Sequence, residues 1–216
     1  MIPALPTAAQ AALDVLVQQD PDLAAILTRT GPLPWRSRPP GFSALLHGIV
    51  AQMISNQAAL AIWTRLSAVP GALDPAGLLT IPDETLRAAG LSRPKVVHAR
   101  ALATAFVDRT LETDRLAGLD DEAAIAAISS VRGLGRWTAE VYLLFALGRL
   151  DVFPAGDVAL QASAAHLKGL ETRPDARSLR AMAEIWRPGR GLAARLLWHH
   201  WRHVTGRPAM DVISTA

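Results

Sequence analysis

Two glycines, Gly133 and Gly135, flank a leucine between two segments that have a helical pattern. Glycine permits a tight turn between helices, and because it has no Cβ it lets the backbone approach a ligand closely. The helix that follows Gly135 begins with unpaired N–H groups and the positive end of its dipole, which favours an anion such as a phosphate group. The alternative interpretation is a plain corner, in which the glycines only end a helix.

A lone carboxylate, Asp157, stands 22 residues beyond Gly135, after a turn signal at residues 153–156, Phe-Pro-Ala-Gly. An aspartate that opens a helix is most often a cap that accepts a backbone N–H. A fixed carboxylate can also stabilise positive charge that develops on a sugar, and it can orient or deprotonate an attacking water. The position of Asp157 alone leaves both roles open.

The segment from Val131 to Trp137, taken together with Asp157, resembles the signature of the helix-hairpin-helix DNA glycosylase superfamily. Within that superfamily the chain looks most like the AlkA type, the 3-methyladenine DNA glycosylases II, from about Phe42 to Trp201. The resemblance implies an all-α, two-lobed helical fold with a DNA-binding cleft between the lobes. With 216 residues the chain is too short for the additional N-terminal β domain of the best-known relatives, so we expect that domain to be absent.

The resemblance further implies how DNA would be held. The backbone amides of Gly133, Gly135 and Thr138 would bind a phosphate, with Arg136 beside them. Carbonyl groups of the hairpin, such as that of Val131, would hold a monovalent cation. The partner would be double-stranded DNA that carries an alkylated base.

By the same resemblance, Asp157 is the catalytic carboxylate of a DNA glycosylase of base excision repair. The enzyme would flip an alkylated base of the 3-methyladenine or 7-methylguanine type and hydrolyse its N-glycosidic bond. Trp137 and Trp198 would offer aromatic faces to a cationic base, and core packing is the alternative for both. Val141 and Val158 stand where relatives often have tyrosine, which implies a wider, less aromatic pocket.

Residues 49–55 resemble the family's Gln-x-x-Ser stretch, in which the residue after the glutamine fills the gap left by an extruded base. Met53 holds that place here. Because Met53 also continues a helical apolar pattern, a core position is the alternative. Two further stretches resemble family turns that position structure more than chemistry: residues 90–95 and residues 186–190.

Trp137 also separates two mechanisms. Superfamily members that additionally cut the DNA backbone carry a lysine two residues after the second hairpin glycine, where its amine forms a Schiff base with the sugar. Indole cannot form one, so we expect no lyase activity and an abasic-site product. The chain has no cysteine, which excludes the branches with a cysteine-bound iron–sulfur cluster, and no cofactor is expected. The alternatives are a glycosylase with lyase activity and a non-catalytic hairpin module that binds DNA within a repair complex.

Six histidines invite a metal hypothesis, since His199 and His203 lie one helical turn apart. No glutamate lies between them and no third ligand is evident in the sequence. A helix that faces solvent or DNA is therefore the preferred interpretation, and no catalytic metal is expected.

The composition is that of a globular chain with 50% hydrophobic residues and a formal charge of +3. Its basic residues are nearly all arginine, which suits phosphate because the planar guanidinium donates two hydrogen bonds at once, although plain surface solubility explains them equally. The start of the chain has no leader pattern and no apolar window is long enough to span a membrane. We expect a monomer in the cytoplasm, associated with the nucleoid.

Helix start and stop signals predict an almost wholly helical chain. One lobe is expected over about 42–150 and the other over 1–41 and 151–216. A proline-rich loop is predicted over 31–41, and the tail after Gly206 is predicted to fray. The predicted helices cover residues 7–19, 20–31, 42–55, 56–68, 74–79, 82–89, 92–108, 120–129, 135–147, 157–168, 175–186 and 190–205.

Overall fold

The structure is a computed structural model that describes residues 4–206, and all its regular secondary structure in that range is helical. The all-α fold class is therefore confirmed. No helix among the described residues is long and apolar enough to cross a bilayer. The prediction of a frayed tail after Gly206 lies outside the described residues.

The helices are numbered in chain order. They are α1 (Thr7–Gln19), α2 (Pro21–Thr30), α3 (Phe42–Ala51), α4 (Asn56–Ser67), α5 (Pro75–Thr80), α6 (Asp83–Ala88), α7 (Arg93–Val107), α8 (Thr113–Gly118), α9 (Asp121–Ser129), α10 (Arg136–Phe145), α11 (Val158–Lys168), α12 (Ala176–Met182), a 3-10 segment (Ala183–Trp186) and α13 (Arg190–Thr205).

The chain divides into two compact units. Of the described residues, the first unit holds 4–37 and 148–206, and the second holds 38–147. In the first unit α13 is the central helix and packs on α1, α2 and α11. Its first half is buried almost completely, because small and aliphatic residues occupy nearly every position from Gly191 to Leu197.

The buried carboxylate of Asp20 connects three parts of the first unit through hydrogen bonds. Its side chain caps α2 by accepting the amide of Asp22, as the sequence predicts. It also accepts hydrogen bonds from Lys168 Nζ at 2.8 Å and from Trp186 Nε1 at 2.7 Å. Although burial opposes ionisation, these bonds hold the pKa of Asp20 below its usual value. The stretch 186–190 therefore positions structure in the manner expected.

In the second unit the apolar helix α3 packs against α4, α7 and α10. A Cβ placed on Gly48 would lie 2.9 Å from Cγ2 of Thr138, so the glycine allows α3 and α10 to approach closely. The last turn of α3 is bound by Lys95, whose Nζ lies 2.7 Å from the carbonyl oxygen of Val50. The stretch 90–95 thus has a positioning role as well.

The helices differ most from the sequence prediction in three places. Helix α3 ends at Ala51 and not near Ser55, because the backbone becomes extended at Gln52, with a ψ of 132°, and left-handed at Met53, with a φ of 58°. The short helix α8 was not predicted. The segment 175–186 is an α-helix only as far as Met182 and then tightens into a 3-10 turn.

Candidate functional site

The hairpin joins α9 to α10 in the second unit. Its turn is closed by a hydrogen bond of 3.0 Å from the Leu134 amide to the Val131 carbonyl oxygen. Gly133 has a φ of 91°, a conformation that favours glycine. A Cβ at this position would also collide with the imidazole ring of His98, which underlies the turn. The fold itself therefore requires glycine at position 133.

Gly135 differs from Gly133 in both respects. Its φ is −90°, which any residue adopts, and a Cβ built on it would meet nothing within 4 Å. It precedes α10 without a side-chain cap, and the first helical bond there runs from the Ala139 amide to the Gly135 carbonyl. The amides of Arg136 and Thr138 thus stand in the first turn of an uncapped helix, where an anion is favoured.

The Arg136 side chain is occupied within the protein. Its Nε lies 2.8 Å from Oε1 of the buried Glu140, and its Nη1 lies 2.9 Å from Oε2 of Glu122. These carboxylates raise the pKa of Arg136, with Glu122 the largest contributor. Three of its five N–H groups are used by these carboxylates, which also offset its charge, so the backbone amide is the part of Arg136 that best fits the predicted role.

Gln52 links the end of α3 to the hairpin, a contact that sequence reasoning missed. Its Nε2 donates to the carbonyl oxygen of Gly133 at 2.9 Å and lies 3.3 Å from Oγ1 of Thr138. The next residue, Met53, is fully exposed and has positive φ, so a core position for Met53 is wrong. A non-glycine residue with positive φ is a backbone outlier of the kind that clusters at functional sites.

A pocket lies between α3 and α10, within the second unit. Trp137 and Val141, both predicted as base-pocket residues, line it together. Most of the surrounding wall is apolar or aromatic. The further lining residues are Arg38, Ala44, Leu45, His47, Gly48, Ala51, Thr138, Tyr142, Phe145 and Ala146.

Arg38 and His47 were not predicted as pocket residues. The Arg38 backbone amide donates to the Phe145 carbonyl at 2.8 Å, and its Nη1 is hydrogen-bonded to Nδ1 of His47. Burial, reinforced by the Arg38 charge, lowers the pKa of His47 to about 3. The sequence offered little signal for this pair, because Arg38 lies in a proline-rich loop and His47 in an apolar helix.

Asp157 stands at the N-terminus of α11 in the first unit. Its Oδ1 accepts the Leu160 amide at 2.9 Å, which confirms the helix-cap interpretation. The same oxygen accepts a hydrogen bond from Nε1 of Trp198, at 3.2 Å. Val158, the next residue, is 58% exposed. The structure therefore brings together three of the predicted site residues, with the indole bound to the carboxylate through its N–H group.

The histidine-rich end of α13 is only partly a surface. His203 is exposed, but His200 is buried and its Nε2 lies 3.1 Å from Nδ1 of His166. The prediction that this helix faces solvent or DNA is therefore wrong at His200, because that side chain packs inward toward α11. Within residues 4–206 no group of three or more His, Cys, Asp or Glu side chains is placed to hold a metal ion.

Comparison with known proteins gives consistent matches. A family described as "HhH-GPD superfamily base excision DNA repair protein" matches residues 46–188. DNA-3-methyladenine glycosylase 1 of Schizosaccharomyces pombe is 29% identical over 161 residues, which cover 73% of this chain and 71% of the relative.

Two solved structures are similar over nearly the whole chain. A DNA-3-methyladenine glycosidase from Bacillus halodurans is 31% identical, with 94% of each chain covered and a TM-score of 0.78. A Schizosaccharomyces pombe 3-methyladenine DNA glycosylase in complex with abasic DNA is 25% identical, with 94% of this chain and 98% of that chain covered and a TM-score of 0.81.

Proposed function

The chain belongs to the HhH-GPD superfamily of base excision DNA repair proteins, and on this basis we propose that it is a monofunctional DNA glycosylase for alkylated bases. Its substrates are bases of the 3-methyladenine and 7-methylguanine type in duplex DNA. The observation that carries the proposal is the Asp157 carboxylate, anchored at one oxygen by the Leu160 amide and the Trp198 indole. A carboxylate with a fixed orientation is what a glycosidic-bond cleavage needs.

The hairpin binds the sugar-phosphate backbone through the amides at the start of α10. The open space beside Gly135 supports this role, since it lets a phosphate approach the backbone closely. The carbonyl oxygens of Val131 and Gly133 each accept one protein hydrogen bond and keep a second lone pair. They would hold a monovalent cation, which would add positive charge beside the phosphate.

Met53 fills the gap that the extruded base leaves in the duplex. Its full exposure next to Gln52, which is bound to the hairpin, supports this role because the side chain stands out from a fixed base. Extrusion costs a few kcal/mol and is cheapest at a damaged pair. The flipped base is received by the aromatic and apolar surface of Trp137 and Val141, which line the pocket of the second unit.

Catalysis breaks the bond between the sugar C1′ and the base nitrogen. Positive charge develops on the sugar as the base leaves with the bonding electrons, and the Asp157 carboxylate stabilises that charge. Asp157 also orients the water that adds to C1′ and accepts its proton. A cationic alkylated base leaves as a neutral molecule, so the reaction needs no separate general acid for it.

We expect no strand cleavage, because Trp137 offers no amine at the position where bifunctional relatives carry lysine. Borohydride should therefore trap no adduct between the enzyme and abasic DNA, and strand breaks should appear only after alkali. The enzyme would act as a monomer in the cytoplasm with the nucleoid, and would need no cofactor.

The test is release of 3-methyladenine and 7-methylguanine from methylated duplex DNA by the wild type and by Asp157→Asn. We expect release by the wild type and a loss of at least about a thousandfold in Asp157→Asn, with DNA binding retained. Binding of DNA by the wild type without release of any base would instead support a non-catalytic hairpin module.

A further inference from the structure

The backbone that carries Asp157 emerges from a tight, buried turn. The Ala155 amide donates to the Phe153 carbonyl oxygen at 2.8 Å, and the Asp157 amide donates to the Pro154 carbonyl oxygen at 2.9 Å. Residues 152–155 are buried, so polar backbone groups in this turn need partners within the protein.

The carbonyl oxygen of Ala155 finds its partner in Gln161, which lies four residues after Asp157 on α11. Gln161 Nε2 donates to this oxygen at 3.0 Å. Side chains of a helix lean toward its N-terminus, so a residue at this position can reach back over the first turn. The backbone amide of Gln161 also donates to the Asp157 carbonyl oxygen at 3.0 Å. One residue thus binds the chain at two points, just before the carboxylate and at the carboxylate's own backbone.

The bond between Gln161 and Ala155 is shielded from water. Gln161 is 8% exposed and Ala155 is 0% exposed. Within residues 4–206 the Gln161 side chain makes this one hydrogen bond. Burying an amide costs free energy unless the amide is hydrogen-bonded, and an apolar side chain could fill the same space without that cost. The glutamine is therefore explained by the turn that its hydrogen bond holds.

Two sets of contacts consequently determine where the Asp157 carboxylate lies. The Leu160 amide and the Trp198 indole hold Oδ1 directly. Gln161 instead holds the backbone from which the Asp157 side chain extends. Removing the second contact would leave the bonds to Oδ1 in place and loosen the turn beneath them.

We propose that Gln161 is a positioning residue for Asp157, because its side-chain amide holds the turn at residues 153–157 in the arrangement that the reaction requires. The inference rests on the proposed function, since it concerns the same carboxylate. Gln161 acts through the turn and contacts no DNA. A small displacement of a group that stabilises charge lowers the rate of the chemical step. Binding of DNA is carried by the hairpin of the second unit and is left unchanged.

The experiment measures release of 7-methylguanine from duplex DNA by the wild type, Gln161→Met and Gln161→Asn under single-turnover conditions. Methionine fills a similar space without a donor, and asparagine keeps the amide on a stem too short to reach Ala155. In both variants we expect the rate constant at saturating enzyme to fall by about tenfold, the effect of losing a buried hydrogen bond that holds a reacting group. The enzyme concentration that gives half of this rate should stay within about twofold of the wild type.

Ile26→Val is the matched control for lost stability, because Ile26 is fully buried in α2 of the same unit. It should lower the midpoint of thermal unfolding by about 2–4 °C, as Gln161→Met should, and keep the wild-type rate. The inference is overturned if Ile26→Val loses as much rate as Gln161→Met, if Gln161→Asn keeps the wild-type rate, or if weaker DNA binding accounts for the loss. An unchanged rate in Gln161→Met would also overturn it while the proposed function stands, whereas no base release by the wild type would end both.

Discussion

The indole N–H of Trp198 donates a hydrogen bond to the carboxylate of Asp157, with 3.2 Å between Nε1 and Oδ1. The Leu160 amide binds the same oxygen from the first turn of α11, at 2.9 Å. Because both donors meet at Oδ1, the position of that oxygen is held by two elements, α11 and α13. Under the proposed function, Trp198 would act on catalysis through the orientation of Asp157, in addition to any face it offers to a base.

Trp198→Phe should separate these two roles, because it keeps an aromatic ring and removes only the N–H donor. We expect kcat for base release to fall by about tenfold with KM nearly unchanged, since the lost contact orients the carboxylate and binds no substrate. Trp198→Leu should additionally raise KM. A kcat equal to that of the wild type in Trp198→Phe would limit Trp198 to an aromatic surface.

Asp157 caps α11 and is also the proposed catalytic carboxylate, and two substitutions distinguish these two roles. Asn caps a helix as well as Asp does, so Asp157→Asn should keep the free energy of unfolding while losing base release. Asp157→Ala should lose base release and also about 1 kcal/mol of stability. Denaturant titrations of both variants, alongside release assays, provide the measurement. If Asp157→Asn were as destabilised as Asp157→Ala, the cap would not explain the loss.

The two hairpin glycines should respond differently to alanine. Gly135→Ala meets no internal neighbour, so it should change stability by less than about 1 kcal/mol yet weaken binding to duplex DNA by about tenfold. Gly133→Ala should lose at least about 2 kcal/mol of stability, because of its positive φ and the collision with His98. Fluorescence anisotropy with labelled duplex and thermal unfolding measure the two effects. Unchanged DNA affinity in Gly135→Ala would exclude close contact between DNA and this turn.

Met53 should show a trade between stability and activity. Met53→Gly relieves a left-handed backbone and should unfold no more easily than the wild type, with a gain of up to about 1 kcal/mol. The same variant should extrude the target base more slowly, which a fluorescent base analogue beside the lesion would report. Met53→Ala serves as the control because it removes the side chain and keeps the strained backbone. Normal extrusion in both variants would rule out the wedge role.

Stability should fall in mild acid because two buried histidines are neutral in the folded protein. Burial is the largest cause in both, and it lowers the pKa of His47 to about 3 and that of His200 to about 4. Since the unfolded chain protonates near pH 6.5, their contribution is complete above that pH and is lost as pH falls toward 4 and 3. Each should add a slope of about 1.4 kcal/mol per pH unit within its window. Denaturant titrations of His47→Gln between pH 4 and pH 7, roughly spanning this range, should show a flatter profile, and an unchanged slope would contradict the assignment.

The sequence predicts helices well where punctuation is strong. Asp20 and Asp157 cap helices in the structure as the pattern indicates. The cause is local, because the short side chain of an aspartate before a helix can accept a backbone N–H of the first turn. Helix α3 was extended too far because the apolar spacing continues through Met53, while the backbone reverses there. Periodicity reports which side chains are apolar and carries no information about φ at a single residue.

The site was predictable to the extent that its residues carry a linear pattern. The hairpin glycines and Asp157 have such a pattern, whereas Arg38 and Gln52 act through partners 9 and 81 residues away in the chain. Contacts of this kind depend on how helices pack, since no rule of spacing within one helix connects their positions. The pairing of Arg136 with Glu122 is hidden from the sequence for the same reason.

Gln52, which directly precedes the exposed Met53, donates a hydrogen bond to the Gly133 carbonyl, so Met53 is tethered to the hairpin turn. Under the proposed function, this hydrogen bond sets the spacing between the phosphate held by the hairpin and the gap that Met53 fills. The distance between the bound phosphate and the position of the extruded base would then be the same for every lesion. Such an enzyme can accept chemically different bases while it binds the strand in one register.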